Sequence, residues 1–116
     1  LTGTVASTEQ LGATDYRRID PRFQAGNFDQ NMAIVATLRE IGSALHASAA
    51  QVALAWLLHQ GSDIVPIPGT KRRRWLEDNA AAAKLVLRPA DLQRLAQVRA
   101  ASGERYTARA LSSIDR

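Results

Sequence analysis

Residues 64–79 read IVPIPGTKRRRWLEDN, and this stretch decides the fold of the chain. It begins with a short apolar run from Ile64 to Ile67, which ends in a Pro-Gly-Thr turn at residues 68–70. Four cations follow, and then a stretch with apolar residues at helical spacing. A short apolar run with a helical pattern on each side is typical of a buried parallel strand. The sequence therefore predicts a strand, a glycine turn and a helix with a cationic start.

The four cations, residues 71–74, stand at the beginning of a helix that we predict over residues 75–83. The dipole and the unpaired N–H groups of a helix N-terminus favour anions, by about 0.3–1 kcal/mol per charge. Positive side chains are therefore unfavourable there unless an anion lies among them. A strand, a glycine turn and a cationic helix start together favour a phosphate site. The alternatives are a solvated charge run and a nucleic-acid surface, but the second lacks interleaved exposed aromatic residues.

Three further helices are predicted on either side of this unit. The first covers about residues 28–46, with Asn27 or Asp29 as its cap, and the last covers about residues 89–101 and ends at Gly103. The second begins at Ser48, and its sequence is apolar on every side, so we expect it to be buried all round. Ser48 and Gln51 have the spacing of a capping box, and Gly61 provides a stop. Residues 1–27 are predicted to form an irregular loop, and residues 104–116 a tail without a pattern.

The predicted elements include only about one short strand, from Ile64 to Ile67. A lone strand has no partner for its backbone hydrogen bonds. We therefore expect an α/β protein of which this chain is a mostly helical part, and the first residue, Leu1 rather than Met, agrees with a piece of a longer protein. The unpaired strand and the apolar helix predict exposed apolar patches, and hence self-association.

Composition limits the class of protein. The chain has 116 residues, 46% of them apolar, with a net charge of +4 and no cysteine. This composition fits one globular domain, and the moderate positive charge favours an anionic ligand as readily as nucleic acid. Two histidines, His46 and His59, are too few for a zinc site, and we expect them to lie at helix C-termini. With no membrane-spanning run and no signal pattern, we expect a cytoplasmic protein that binds neither nucleic acid nor membranes.

The ordered motifs of the chain resemble those of the C-terminal third of an aldo-keto reductase. They occur in the family's order and at its spacing: LTG at residues 1–3, D-x-R at 15–17, PRF at 21–23, QVALAWLL at 51–58, IVPIPGTKR at 64–72, LEDN at 76–79 and GERY at 103–106. The resemblance implies that residues 1–116 are a partial domain of an NADP-dependent (β/α)8 TIM barrel, with helices and the last barrel strand over residues 28–103. A phosphate site beside the last two strands is common in such barrels.

The resemblance also implies a cofactor, NADPH, and a small carbonyl substrate for the full-length protein. Gly69, Thr70 and Lys71 would hold the 2′-phosphate of the adenosine ribose, with support from neighbouring arginines. The residues implied in cofactor binding are Gly69, Thr70, Lys71, Arg72, Trp75, Asp78 and Asn79. Asp78 and Asn79 would hydrogen-bond the adenine edge, and Trp75 would flank the adenosine.

Two positions depart from the common pattern of the family. Asp78 stands where many members carry Glu, so its carboxylate reaches one methylene less far. Trp75 stands where some members carry Arg or Gln, so it can stack on adenine but cannot pair with a phosphate, and that role passes to Lys71, Arg72 and Arg74.

The family's catalytic Asp, Tyr, Lys and His lie in upstream barrel strands, and no residue of this chain matches them. The tyrosines and histidines of the chain stand at other positions: Tyr16, Tyr106, His46 and His59. We therefore expect the chain alone to be catalytically inactive, with no catalytic residue and no metal ligand. The alternative is a non-enzymatic, α-rich module that binds an anion or a partner.

Overall fold

Helices make up almost all of the regular structure, as the sequence predicts. A computed structural model of the chain describes residues 3–114. Within these residues lie five α-helices: α1 (Asn27–Ala44), α2 (Ala49–Leu58), α3 (Arg73–Ala81), α4 (Pro89–Ala96) and α5 (Ala108–Leu111). Leu1 and Thr2, which carry part of the family resemblance, and the last two residues of the predicted tail lie outside the described residues.

The strand predicted from Ile64 to Ile67 is not formed. Residues 64–70 have no regular secondary structure, and no strand occurs between residues 3 and 114. The physical reason is the absence of a partner, because a strand exists only through hydrogen bonds to a neighbouring strand. Pro66 and Pro68, which lack an N–H group, limit pairing further. The apolar run instead lies on the surface, with Val65 78% exposed and Ile67 91% exposed.

The core lies where α1, α2 and α4 meet. It is formed by one face of each helix and by Leu87, and its buried residues are Leu38, Ile41, Ala49, Val52, Ala55, Leu87 and Leu95. Ile41 and Val52 are almost completely excluded from solvent. Gly42 allows α1 and α2 to approach closely, since a Cβ at this position would lie 2.4 Å from the carbonyl oxygen of Ala47.

The start of α2 confirms the predicted capping box. The Ser48 hydroxyl accepts a hydrogen bond from the Gln51 N–H at 3.2 Å, and Gln51 Oε1 accepts one from the Ser48 N–H at 2.9 Å. The helix ends at Leu58 with His59 as its C-cap, before Gly61. The expectation that α2 is buried all round is wrong, because Leu57 and Leu58 are 37% and 38% exposed. Leu58 lines an open groove beside α3, so contacts within residues 3–114 cover it only in part.

Three other features differ from the predictions: the cap of α1, the C-terminal tail and the N-terminal loop. Gly26, which has no side chain to form a cap, is the N-cap of α1, and the amide of the predicted cap Asn27 donates to the Pro21 carbonyl instead. In the predicted tail, α5 forms where the Thr107 hydroxyl accepts from the Ala110 N–H at 3.2 Å. The predicted loop at residues 1–27 contains three short 3₁₀ turns: Thr8–Gln10, Tyr16–Arg18 and Pro21–Phe23.

Helix α4 ends at Ala96, five residues before the predicted end, and the chain that follows is held against α1. Asn31 Oδ1 accepts from the Ser102 N–H at 2.7 Å, and the Asn31 amide donates to the Ser102 carbonyl at 2.9 Å. Gly103 follows with a φ of +90°, and a Cβ there would lie 2.7 Å from the Pro21 carbonyl oxygen. Gly103 therefore serves a close contact beyond the helix rather than ending it.

The start of α4 depends on Asp91, the one charged residue that is buried between residues 3 and 114. Its carboxylate accepts from the Arg88 backbone N–H at 3.1 Å and from the Arg88 guanidinium at 2.7 and 2.8 Å. These hydrogen bonds from Arg88 hold the pKa of Asp91 below its usual value. Similar hydrogen bonds from Arg17 lower the pKa of the partly exposed Asp15 to about 2.

Over residues 3–114, no single helix is long and apolar enough to cross a membrane. Helices α1 and α2 reach the required length and apolar composition only when they are taken together, across a bend of 93°.

Candidate functional site

The four cations of residues 71–74 lie on the surface at the start of α3. Helix α3 begins at Arg73, so Arg73 and Arg74 form part of its first turn rather than preceding it. The N–H groups of Trp75 and Leu76 both donate to the Arg72 carbonyl, at 3.1 Å, and this closes the first turn early. The N-cap residue, Arg72, makes no side-chain cap. The first N–H groups of α3 are therefore open to a ligand.

Carboxylates of the described chain do not neutralise these cations. The three ion pairs within residues 3–114 join Arg17 to Asp15, Arg88 to Asp91 and Arg94 to Glu40. Four positive side chains thus surround a helix N-terminus that itself carries a partial positive charge. An anion at this position would satisfy both the side chains and the backbone donors.

The turn before α3 is open in front of Gly69. A Cβ built at Gly69 would meet no atom within 4 Å, apart from its chain neighbours. The Thr70 hydroxyl accepts from the Arg72 N–H at 3.2 Å, which fixes the turn immediately before the helix. Gly69, Thr70, Lys71 and Arg72 are thus consecutive, exposed and free of other packing contacts that would block a ligand.

Trp75 is 41% exposed and has a cation on its ring. The guanidinium carbon of Arg74 lies 4.8 Å from the ring centre, in cation–π range. One of the four cations is therefore engaged with an aromatic ring. The role of Trp75 as a stacking surface for adenosine stays a prediction.

Asp78 and Asn79 lie on α3 and are both partly buried. Asp78 contacts the start of α2 through two hydrogen bonds: its Oδ2 accepts from the Ser48 hydroxyl at 3.2 Å, and its carbonyl accepts from Gln51 Nε2 at 3.0 Å. The sequence identified Ser48 and Gln51 only as a helix cap. Nothing in their spacing shows that this cap lies against Asp78, because the contact spans about thirty residues.

A groove of about 460 Å³ lies beside these residues, between α2, α3 and the apolar run before the turn. Its lining is largely apolar and includes Leu54, Leu58, Ile67 and Leu76, together with the polar Asn79. Lys71 and Arg72 are not part of the lining. The structure thus separates an apolar groove on one side of α3 from the cationic N-terminus.

Metal binding finds no support within residues 3–114, where no three side chains of His, Cys, Asp or Glu are grouped closely enough to hold an ion. His59 instead lies at the C-terminus of α2, with Nδ1 2.8 Å from the Ala55 carbonyl oxygen. His46 follows α1 with a φ of +53°. Both histidines therefore lie at helix ends, as the sequence predicts.

Known proteins are similar in sequence to this chain. The pattern of the Aldo/keto reductase family matches residues 1–100. Aldo-keto reductase yakc (NADP(+)) of Schizosaccharomyces pombe is 42% identical over 95 residues, which cover 82% of this chain and 28% of that protein. Aldo-keto reductase str7 of Strobilurus tenacellus is 42% identical over 87 residues, which cover 75% of this chain and 26% of that protein. No solved structure matches the chain.

The chain spans about a quarter of the length of these curated relatives. The matched region includes most of the motifs that carry the resemblance in the sequence, among them those from the capping box of α2 to the LEDN motif of α3, while GERY at residues 103–106 lies beyond it. The extent of the family match and the identity to two relatives lead to one conclusion. This chain belongs to the aldo/keto reductase family, whose members are oxidoreductases.

Proposed function

We propose that the chain is part of an NADP-dependent aldo-keto reductase and carries the adenosine-phosphate half of the cofactor site. The observation that supports this most is the cluster of four cations at the uncapped start of α3, with no carboxylate partner in residues 3–114. The name of the Schizosaccharomyces pombe relative, which includes NADP(+), agrees with a phosphorylated nicotinamide cofactor.

The phosphate end of this site would be formed by the turn and the helix start. Gly69 leaves room for a ligand beside the backbone, because the space in front of it is open. Thr70 and Lys71 provide a hydroxyl and an ammonium group, and Arg72 adds a guanidinium. A 2′-phosphate at this position would also accept hydrogen bonds from the open N–H groups of α3. These features fit the chemistry of a phosphate group.

The adenine end would be formed by the next turn of α3. Asp78 Oδ1 and the Asn79 side chain make no hydrogen bond to residues 3–114, which leaves an acceptor and an amide available for the adenine edge. Trp75 lies one turn earlier and offers a partly exposed ring for stacking. The residues of this chain would therefore hold and orient the cofactor tail.

Bound NADPH would supply the hydride that reduces a carbonyl in the full-length protein. In the family, a tyrosine protonates the alkoxide that develops. This chain has no residue that matches that tyrosine or its three catalytic partners, so its own residues would bind the cofactor without using it. In a complete barrel, residues 64–67 would pair as the eighth strand and lose their present exposure.

Incubating the purified 116-residue chain with NADPH and a panel of aldehydes and ketones tests the catalytic part of the proposal. The absorbance of NADPH should stay constant, while direct titration should detect binding of 2′,5′-ADP. Turnover of any carbonyl above the buffer rate would refute the expected inactivity. Failure to bind 2′,5′-ADP at millimolar concentration would refute the cofactor half-site.

A further inference from the structure

The two residues of the α2 capping box, Ser48 and Gln51, have hydrogen-bond donors that the cap itself does not use. Ser48 Oγ accepts from the Gln51 N–H, and Gln51 Oε1 accepts from the Ser48 N–H. A serine hydroxyl also has one hydrogen to donate, and a glutamine amide has two. These donors are not needed for the cap.

Both residues direct a spare donor to the same residue of α3. The Ser48 hydroxyl donates to Asp78 Oδ2 at 3.2 Å, and Gln51 Nε2 donates to the Asp78 carbonyl at 3.0 Å. One bond therefore fixes the carboxylate and the other fixes the backbone. Helix α3 has no fully buried residue of its own, so packing alone holds it weakly.

We propose that Ser48 and Gln51 are positioning residues for the adenine end of the site, acting through Asp78. This inference rests on the proposed function. The Ser48 bond holds the carboxylate in one orientation, with Oδ1 left for the ligand, and the Gln51 bond holds the backbone that carries it, so that less side-chain freedom is lost on binding.

The substitution Gln51→Glu separates positioning from capping. Glutamate at this position retains an acceptor for the Ser48 N–H, and S-x-x-E is itself a capping-box sequence. It loses the amide donor to the Asp78 carbonyl. We expect the affinity for 2′,5′-ADP to fall at least about fivefold, because one hydrogen bond is lost and a carboxylate oxygen then faces the Asp78 carbonyl oxygen. The affinity for inorganic phosphate, which needs only residues 69–74, should stay within twofold of the wild-type value.

Ser48 offers a matched pair of variants. Ser48→Gly removes the donor to Asp78 but costs the helix only a few tenths of a kcal/mol as a cap. Ser48→Thr keeps both the acceptor and the donor. Ser48→Gly should weaken 2′,5′-ADP binding about as much as Gln51→Glu does, and Ser48→Thr should bind like the wild type. Thermal unfolding of each variant shows how far global stability has changed.

The outcomes distinguish this inference from the function on which it rests. If the wild type binds 2′,5′-ADP and both Gln51→Glu and Ser48→Gly bind it equally well, the positioning role is refuted and the half-site stands. If phosphate affinity falls in parallel with that of 2′,5′-ADP, the two residues support the fold rather than the adenine end, and the inference is again refuted. If the wild type does not bind 2′,5′-ADP, the proposed function fails, and the inference fails with it.

Discussion

The guanidinium carbon of Arg74 lies 4.8 Å from the centre of the Trp75 ring. Because of this contact, Arg74 differs from a cation at the start of α3 that has no aromatic partner. Arg74 already has a favourable partner and would lose part of that contact on turning to a phosphate. Lys71 has no such aromatic contact and no ion pair within residues 3–114. We therefore expect unequal contributions from the two cations to phosphate binding.

Replacing Lys71 should weaken cofactor-fragment binding more than replacing Arg74. We expect Lys71→Ala to lower the affinity for 2′,5′-ADP at least about tenfold, because a charge-assisted hydrogen bond is worth about 1.5–3 kcal/mol. Arg74→Ala should cost less. Lys84→Ala is the matched control, since Lys84 is exposed just beyond the other end of α3. Isothermal titration measures all three, and an equal loss for Lys71→Ala and Lys84→Ala would refute a local phosphate contact.

The buried carboxylate of Asp91 should be important for stability. Asp91→Ala removes a helix cap and two hydrogen bonds with Arg88, and we expect the free energy of unfolding to fall by about 2 kcal/mol. Asp29→Ala is a control in the first turn of α1, where the side chain is exposed, and it should change stability by less than about 0.5 kcal/mol. Urea unfolding measures both values. Equal values for the two variants would contradict a structural role of Asp91.

Stability should fall in acid because two carboxylates have lowered pKa values in the folded chain. Hydrogen bonds from Arg17 lower the pKa of Asp15 from 3.8 to about 2, and those from Arg88 lower the pKa of Asp91. The unfolded chain then binds more protons than the folded chain in this range. The contribution of Asp15 is complete above about pH 4 and is lost as the pH falls through about 2.

Thermal unfolding between pH 7 and pH 2 measures this dependence. The melting temperature should fall below about pH 4, and Asp15→Asn should make the fall shallower than in the wild type. Arg109→Gln is the control, because Arg109 has no ion pair in residues 3–114. It should leave the fall in melting temperature with pH as steep as in the wild type. A melting temperature that rises as the pH falls from 4 to 2 would contradict the predicted loss of stability in acid.

Exposed apolar residues of the unformed strand should cause self-association of the chain. Val65 and Ile67 are 78% and 91% exposed, and they adjoin the apolar groove between α2 and α3. We expect sedimentation velocity to detect dimers or larger species that decrease in the variant Ile67→Lys. Ile114→Lys changes another exposed residue away from the groove and should leave association unchanged. A wild-type chain that stays monomeric at 100 µM (on the order of typical association assays) would contradict this prediction.

Local patterns in the sequence predicted the features that depend on neighbouring residues. The capping box of Ser48 and Gln51 is an example, because a hydroxyl and an amide three positions apart meet at any helix N-terminus. The positions of α1 and α2 follow from apolar spacing in the same way. The cations of residues 71–74 and the start of α3 also lie within one short segment, so they could be recognised together, while the anion site that they would form stays a prediction.

Features that depend on distant residues could not be predicted. The chain after α4 is held by hydrogen bonds between Asn31 and Ser102, which are 71 positions apart. The contact of Ser48 with Asp78 likewise joins two helices whose relative position no local pattern gives. The strand from Ile64 to Ile67 shows the converse, since its apolar sequence favours a strand but no partner strand lies within residues 3–114.

The affinity of the chain for 2′,5′-ADP relative to 5′-AMP is the most direct measure of the proposed half-site. The two ligands share adenosine and a 5′-phosphate, so their difference isolates the 2′-phosphate. Because that group would lie among Lys71, Arg72 and the open N–H groups of α3, we expect at least about tenfold tighter binding of 2′,5′-ADP at low salt, with the preference decreasing as salt is added. Equal affinity for the two nucleotides would show that residues 69–74 do not form a 2′-phosphate site.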